Sequence, residues 1–338
     1  MALVEARQLT KVFRRPDKPP GLAGSLRHLV TRKYVEKVAV DHVDLAIEAG
    51  EAVAYVGPNG AGKSTTVKLL SGILEPTSGE VRIGGRVPQR ERMAVAHQIG
   101  VLFGQRTQLW WDLPVADSLA VLRDLYGVDR ATYEQRLKRF DEVLGIGELL
   151  PVTGRKLSLG QRMRADLVAA LIHAPEVVYL DEPTIGLDLS VKDRVREFFR
   201  ELRDEGTTVM LTSHDLADIE GFCRRLVIID EGRLVFDGDL KAVKDEFARE
   251  RILHVSTEER VDPELVRAAL PGTDVTAGET PLWHAIRFDR FALTAGQAVA
   301  AVSGVATVVD FRIDEPGIED VIRRVYSGDL LLTTDSAS

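Results

Sequence analysis

The chain mixes two patterns of apolar spacing. Residues 2–13 alternate loosely, with Val4, Leu9, Val12 and Phe13 as the apolar members, and predict a strand. Residues 38–47 (VAVDHVDLAI) predict another, followed by a turn at Glu48–Glu51 and the apolar run Ala52–Val56. A glycine-rich stretch after Gly57 leads into a predicted helix over about 63–73, and short strands are expected near 80–84 and 98–103. From 104 to about 175 apolar positions recur every three or four residues (Leu119, Leu122, Tyr126; Leu137, Phe140, Leu144), with breaks at Gly127, Gly145 and Pro151. Val177–Leu180 reads as a buried strand, 190–204 as a helix, and 207–212 and 225–230 as further strands before the turn Asp230–Arg233. Short, uniformly apolar strands alternating with helices predict a mainly parallel sheet covered on both faces.

The pattern changes at two places. Residues 14–37 hold three prolines, two glycines and seven basic residues against Asp17 and Glu36, which predicts a Pro-rich basic loop with a short helix near 24–34. From about 250 the order becomes strand 252–256, helix 262–270, strands 273–276 and 283–289, helix 293–302, strand 305–313 and helix 316–326, a split βαβ arrangement. The expected organisation is a domain over 1–240, with a core (1–103 and 176–240), a helical subdomain (104–175) and the basic insert 14–37. A βαββαβ accessory domain, ferredoxin-like, follows over 250–328, then a polar tail over 329–338. The fold class is therefore α/β with a small C-terminal α+β domain.

Composition narrows the partners. In 338 residues, Lys and Arg number 44 and Asp and Glu 52, a net charge of −8, so no dedicated nucleic-acid surface is expected. The lone Cys223 cannot form an internal disulfide, which fits a reducing compartment. No apolar run approaches the roughly 20 residues of a membrane helix.

Candidate chemistry concentrates in Gly57-Pro58-Asn59-Gly60-Ala61-Gly62-Lys63-Ser64-Thr65, which fits G-x-x-x-x-G-K-[ST] between a buried strand and a helix. Glycines let backbone N–H groups approach phosphate oxygens closely, and the helix N-terminus adds its dipole. Lys63 is expected to reach the β- and γ-phosphates and the Ser64 hydroxyl to ligate Mg²⁺. The apolar strand Val177–Leu180 ends in Asp181 and Glu182. One such carboxylate can hold Mg²⁺ beside the phosphate loop, and the other can accept a proton from an attacking water.

Further positions complete a series in order and spacing: Gln105, Leu157-Ser158-Leu159-Gly160-Gln161, Leu187-Asp188 and His214. With Gly57–Thr65, Asp181 and Glu182, they make residues 1–240 resemble the nucleotide-binding subunit of an ATP-binding cassette (ABC) transporter. The resemblance implies a P-loop NTPase core and ATP with Mg²⁺ as ligands. It implies Glu182, His214 and Lys63 as catalytic residues, with Mg²⁺ on Ser64, Gln105 and Asp181. Leu157–Gln161 is similar to the signature LSGGQ, with Leu159 in place of the first glycine. By that likeness Ser158, Gly160 and Gln161, with Asp188, complete the ATP site of an opposite subunit. Gln105 is preferred over its rival Gln108 by its spacing to Leu109-Trp110. Adenine would stack on Phe13 or on its competitor Tyr34.

The implied function is ATP hydrolysis in a head-to-tail pair of copies, coupled to transport, outward in direction, by one or two integral membrane permease subunits. The chain would then lie peripherally on the cytoplasmic face of the membrane. Trp110 and Trp111 are either interface anchors in the helical region or core. The length and the C-terminal domain resemble the exporter branch that moves drugs, polysaccharides, lipids or ions. The alternative is a soluble ABC ATPase of DNA repair or translation, and those usually carry a coiled coil or two cassettes.

Overall fold

The computed structural model describes residues 2–16, 34–104, 107–213, 215–247, 250–278 and 280–314. The chain divides into two compact units at Gly238–Asp239.

In the first unit, β3 (Ala52–Val56), β5 (Ile99–Phe103), β6 (Val177–Asp181), β7 (Thr208–Thr212), β8 (Arg225–Asp230) and β9 (Arg233–Asp239) form one sheet in the order β5-β6-β7-β3-β8-β9. The β5–β6, β6–β7, β7–β3 and β3–β8 pairs are parallel. Every residue of β3 and of β7 is buried, because a central parallel strand has no solvent face. The expected parallel α/β core is thus present. The first two strands do not join it. Here β1 (Ala2–Pro16), β2 (Tyr34–Glu48) and β4 (Ser78–Ile83) form a separate antiparallel sheet, ordered β2-β1-β4. Its apolar face (Val4, Leu9, Val43, Leu45, Ile47) meets the parallel sheet through Val53, Tyr55, Tyr179 and Ile229, and this is where the main core sits.

The expected loop over 14–37 is corrected at both ends. Arg14–Pro16 pairs with Tyr34–Glu36 and extends the β1–β2 hairpin as a two-stranded ribbon, in which Tyr34 and Val35 favour the strand. The predicted helix near 24–34 falls mostly outside the described residues, except that Tyr34 is strand.

Helices α1 (Lys63–Leu70), α2 (Arg92–Gln98), α3 (Val115–Leu125), α4 (Arg130–Leu144), α5 (Leu159–Leu171), α6 (Leu189–Asp204) and α7 (Leu216–Phe222) complete this unit. Asp129 caps α4 by accepting from Thr132 N at 2.9 Å. On α6, Val191, Val195, Phe198 and Phe199 make one apolar stripe at helical spacing and are all buried.

The second unit begins with α8 (Leu240–Phe247). Then β10 (Glu250–Thr257), α9 (Pro263–Ala269), β11 (Asp274–Ala277), β12 (Trp283–Asp289), α10 (Ala295–Ser303) and β13 (Val308–Asp314) follow. The sheet is antiparallel in the order β11-β12-β10-β13, the arrangement of a split βαβ fold. Leu253, Val255, Ile286 and Phe288 pack with Val266 and Val302 from the helices. The helix expected over 316–326 and the tail lie outside the described residues.

Candidate functional site

The loop 57–62 follows the carboxyl end of β3, where parallel sheets place their ligands. Its shape demands glycine. A Cβ on Gly57 would lie 2.3 Å from Ile229 O. Gly62 adopts φ +112°, and a Cβ there would lie 2.3 Å from Ala39 O. Gly62 is also the N-cap of α1 and contributes no side-chain cap, so the first N–H groups of the helix keep their outward donors. Asn59, Gly60 and Ser64 are exposed, Thr65 is half-buried, and Ala61 N donates to Pro58 O at 3.1 Å.

Lys63 is buried, and its Nζ donates to Gly57 O at 2.5 Å and Pro58 O at 3.2 Å across the mouth of the loop. Burial pulls its pKa down, and the nearby Glu182 and Asp181 carboxylates oppose this. A lysine held by carbonyls alone can exchange them for phosphate oxygens at little cost.

Asp181 ends β6 directly beside Thr212 of β7 in register. Ser64 Oγ donates to Asp181 Oδ2 at 3.1 Å, and Thr212 Oγ1 donates to Oδ1 at 2.5 Å. Glu182 turns sharply away at φ +55°, a conformation unfavourable for a non-glycine residue, and its N–H donates to Thr212 O at 3.0 Å. Gly104, the last residue before position 105, is pressed against the backbone that carries these two carboxylates. A Cβ there would lie 2.8 Å from Asp181 O. Among the described residues no cluster of three or more His, Cys, Asp or Glu side chains could hold a metal. The hard oxygens of Ser64 and Asp181 nonetheless fit Mg²⁺, which usually takes one or two carboxylates and completes its shell with water and substrate phosphate.

A second structure surrounds the start of α5. Ser158 is its N-cap, and Gln161 N donates to Ser158 Oγ at 3.2 Å. Ser158 N donates back to Gln161 Oε1 at 2.9 Å, completing a capping box. Gly160 lies so close to the loop after Glu182 that a Cβ would be 2.7 Å from Gly186 O, and the Leu159 side chain rests on Gly186. Gly186 itself has φ +76°. Asp188 caps α6, accepting from Val191 N at 3.0 Å and Ser190 Oγ at 2.8 Å, and the Val191 amide bond leads the causes that lower its pKa. The signature tip and the loop from Glu182 to Asp188 are therefore one packed feature.

Phe13 and Tyr34 both lie on the extended β1–β2 hairpin and are exposed. Lys11 Nζ sits 5.4 Å from the Phe13 ring centroid. Trp110 and Trp111 are exposed, so the core alternative falls for both, and the Arg162 guanidinium lies 4.8 Å from the Trp111 ring. Gln105 and His214 lie outside the described residues.

Sequence reasoning missed Thr212, Asp166 and Asp218. Thr212 was legible in principle, as the terminal polar residue of a strand matched to the end of β6. Asp166 sits two turns into α5, where its Oδ1 accepts from Thr107 Oγ1 (2.9 Å) and Gln108 N (2.8 Å). Burial pushes its carboxyl from 3.8 up to about 6, opposed by those hydrogen bonds and by Arg162. Its only sequence signal is a carboxylate in an otherwise apolar helical stretch.

The comparisons agree with this geometry. A family model described as ABC transporter matches residues 40–185. The daunorubicin resistance ATP-binding protein DrrA3 of Streptomyces coeruleorubidus is 33% identical over 303 residues, covering 88% of this chain and 94% of that protein. A span of that length runs past the first unit and into the second. A solved ATP-binding subunit of an ABC transporter is 26% identical, with a TM-score of 0.61 over 72% of this chain and 93% of its own. A dimeric ATP-binding cassette in a post-hydrolysis state, bound to ADP and phosphate, shares the fold at 22% identity. Its TM-score is 0.59 over 70% of this chain and 98% of its own. The chain therefore belongs to the ABC transporter family, as an ATP-hydrolysing, ATP-binding protein resembling that family's exporter-type branch.

Proposed function

We propose that this chain is the ATPase subunit of a membrane exporter, working as a head-to-tail pair of copies on the cytoplasmic face beneath separate permease subunits. The observation that carries the reading is the convergence of Lys63 and Ser64 on Asp181 and Glu182 at the carboxyl ends of β3 and β6. ATP lays its phosphates on the amides of 57–63, and Lys63 exchanges its carbonyl partners for the β- and γ-oxygens. Ser64, Asp181 and Gln105 would hold Mg²⁺, which supplies charge neutralisation on the β- and γ-phosphates when bound. Glu182 accepts the proton of the attacking water, with His214 orienting that water and the γ-phosphate. Adenine stacks on Phe13, with Tyr34 as the competing face on the same hairpin.

The second copy supplies Ser158, Gly160, Gln161 and Asp188 across a two-fold interface, so two ATP molecules are buried between identical surfaces. Hydrolysis removes the shared γ-phosphate and lets the pair separate, a ligand-controlled two-state change. Among the described residues no helix is long and apolar enough to cross a membrane, which supports a pore made by other polypeptides. The exposed Trp110 and Trp111 are suited to anchor a permease helix. Outward transport follows the naming of relatives such as the daunorubicin resistance protein.

Replacing Glu182 by Gln tests the reading. The amide keeps the shape and loses the proton acceptor. The full chain is expected to bind ATP, form a stable ATP-dependent dimer by light scattering, and hydrolyse at least about a hundredfold more slowly. Turnover at the normal rate would refute the assignment.

A further inference from the structure

Asp218, at the third position of α7, is 2% exposed. A carboxylate this deeply buried is costly unless fully paired, so its partners indicate its use. Its oxygens divide between three elements. Oδ1 accepts from Arg196 Nε of α6 at 2.6 Å. Oδ2 accepts from Thr184 Oγ1 at 2.5 Å and from Ser213 Oγ at 3.2 Å.

Thr184 is two residues past Glu182, is itself buried, and its carbonyl accepts from Leu187 N at 3.2 Å, closing the turn that carries Gly186. Ser213 immediately precedes position 214, and its hydroxyl also accepts from Asp215 N at 3.0 Å. The same Arg196 reaches Asp215 Oδ2 at 3.2 Å, where Lys192 joins it at 2.9 Å. One carboxylate therefore ties the loop after β6 to the loop after β7, with α6 as the shared support.

We infer that Asp218 is a positioning residue for hydrolysis: it fixes the separation between the Glu182 loop and the residue that follows Ser213, without itself touching nucleotide. The inference rests on the reading of Glu182 given above. Misplacing a catalytic group by about 1 Å can cost on the order of a hundredfold in rate, so a link that holds two such groups acts on turnover more than on binding. A plain core ion pair would act on stability alone.

Steady-state hydrolysis, ATP affinity and melting temperature of the full chain separate these outcomes. Thr184→Val keeps volume and removes only the link to the Glu182 loop. Ser213→Ala removes the link to the second loop together with the bond that its hydroxyl accepts from Asp215 N, and Asp218→Asn keeps the shape of the hub without its charge. All three are expected to bind ATP within about twofold of the parent while kcat falls about tenfold or more, most in Asp218→Asn. If Asp218→Asn fails to fold, Thr184→Val and Ser213→Ala carry the test. Retention of kcat within twofold by the folded variants, or a rise in KM at constant kcat, overturns the inference. Glu182→Gln runs alongside: loss of turnover there with normal turnover in Thr184→Val defeats the inference alone, whereas normal turnover in Glu182→Gln defeats the reading beneath it.

Discussion

Helices α1 and α5 both begin at segments proposed to meet phosphate, yet their first turns are finished in opposite ways. The cap of α1 is Gly62, which has no side chain to offer, and Lys63 occupies the loop mouth through two carbonyls. The cap of α5 is Ser158, closed on itself by the reciprocal box with Gln161. An N-terminus without a side-chain cap keeps its donors for a ligand, whereas a capped one has already used some of them. The first end keeps its donors free of any side-chain cap, as the proposed phosphate contact requires. The second is stable without a ligand and can add only what its remaining donors allow, as expected of a surface that completes a site first assembled elsewhere.

The largest test of that contrast is Lys63→Ala. Charge-assisted hydrogen bonds contribute about 1.5–3 kcal/mol each, and Lys63 is expected to make two to the phosphates. ATP affinity by titration calorimetry should fall by about a hundredfold or more. A loss under tenfold would mean that the amides of 57–62 suffice and the lysine is structural.

Ser158→Ala should do something different. Removing the cap costs about 1 kcal/mol of stability. ATP affinity of dilute, monomeric protein should not change, because the serine serves the opposite copy, while kcat at dimer-forming concentrations should fall about tenfold. An equal loss of affinity in the monomer would place Ser158 beside its own nucleotide and end the head-to-tail reading.

The same contrast explains what could be seen in the sequence. The phosphate loop is local: its glycines, lysine and serine fall within nine residues, and the close approaches to Ala39 and Ile229 demand the spacing. The βαββαβ unit was legible because each of its elements is short and periodic. The antiparallel sheet was not, since β1 and β2 alternate much as strands of a mixed sheet would, and only the pairing of β1 with β4, some 70 residues on, reveals a second layer. Thr212, Asp166 and Asp218 were missed for a related reason. Their partners lie 31, 58 or 59, and up to 34 residues away, and a buried carboxylate on a helix looks like any polar residue until those partners arrive. The basic stretch misled by composition: prolines and arginines read as a loop, while the ends pair as a ribbon.

The smallest expected effect sharpens the contrast from inside α5. Asp166 anchors that helix to Thr107 and Gln108 through Oδ1 alone, so Asp166→Asn can keep both hydrogen bonds while removing the buried charge. The folded carboxyl titrates near 6 and the unfolded one near 3.8. Between those values the folded state holds a proton that the unfolded state lacks, so this group's contribution to stability improves as pH falls from 6 towards 4 and is least favourable above 6. The interval corresponds to about 3 kcal/mol at most. Asp166→Asn should therefore melt a few degrees above the parent at pH 7.5, and the gap should close by about pH 4.5 in a series of thermal melts. A gap that stays constant with pH would mean that the folded carboxyl titrates where the unfolded one does, its burial offset in full by Arg162 and the two hydrogen bonds.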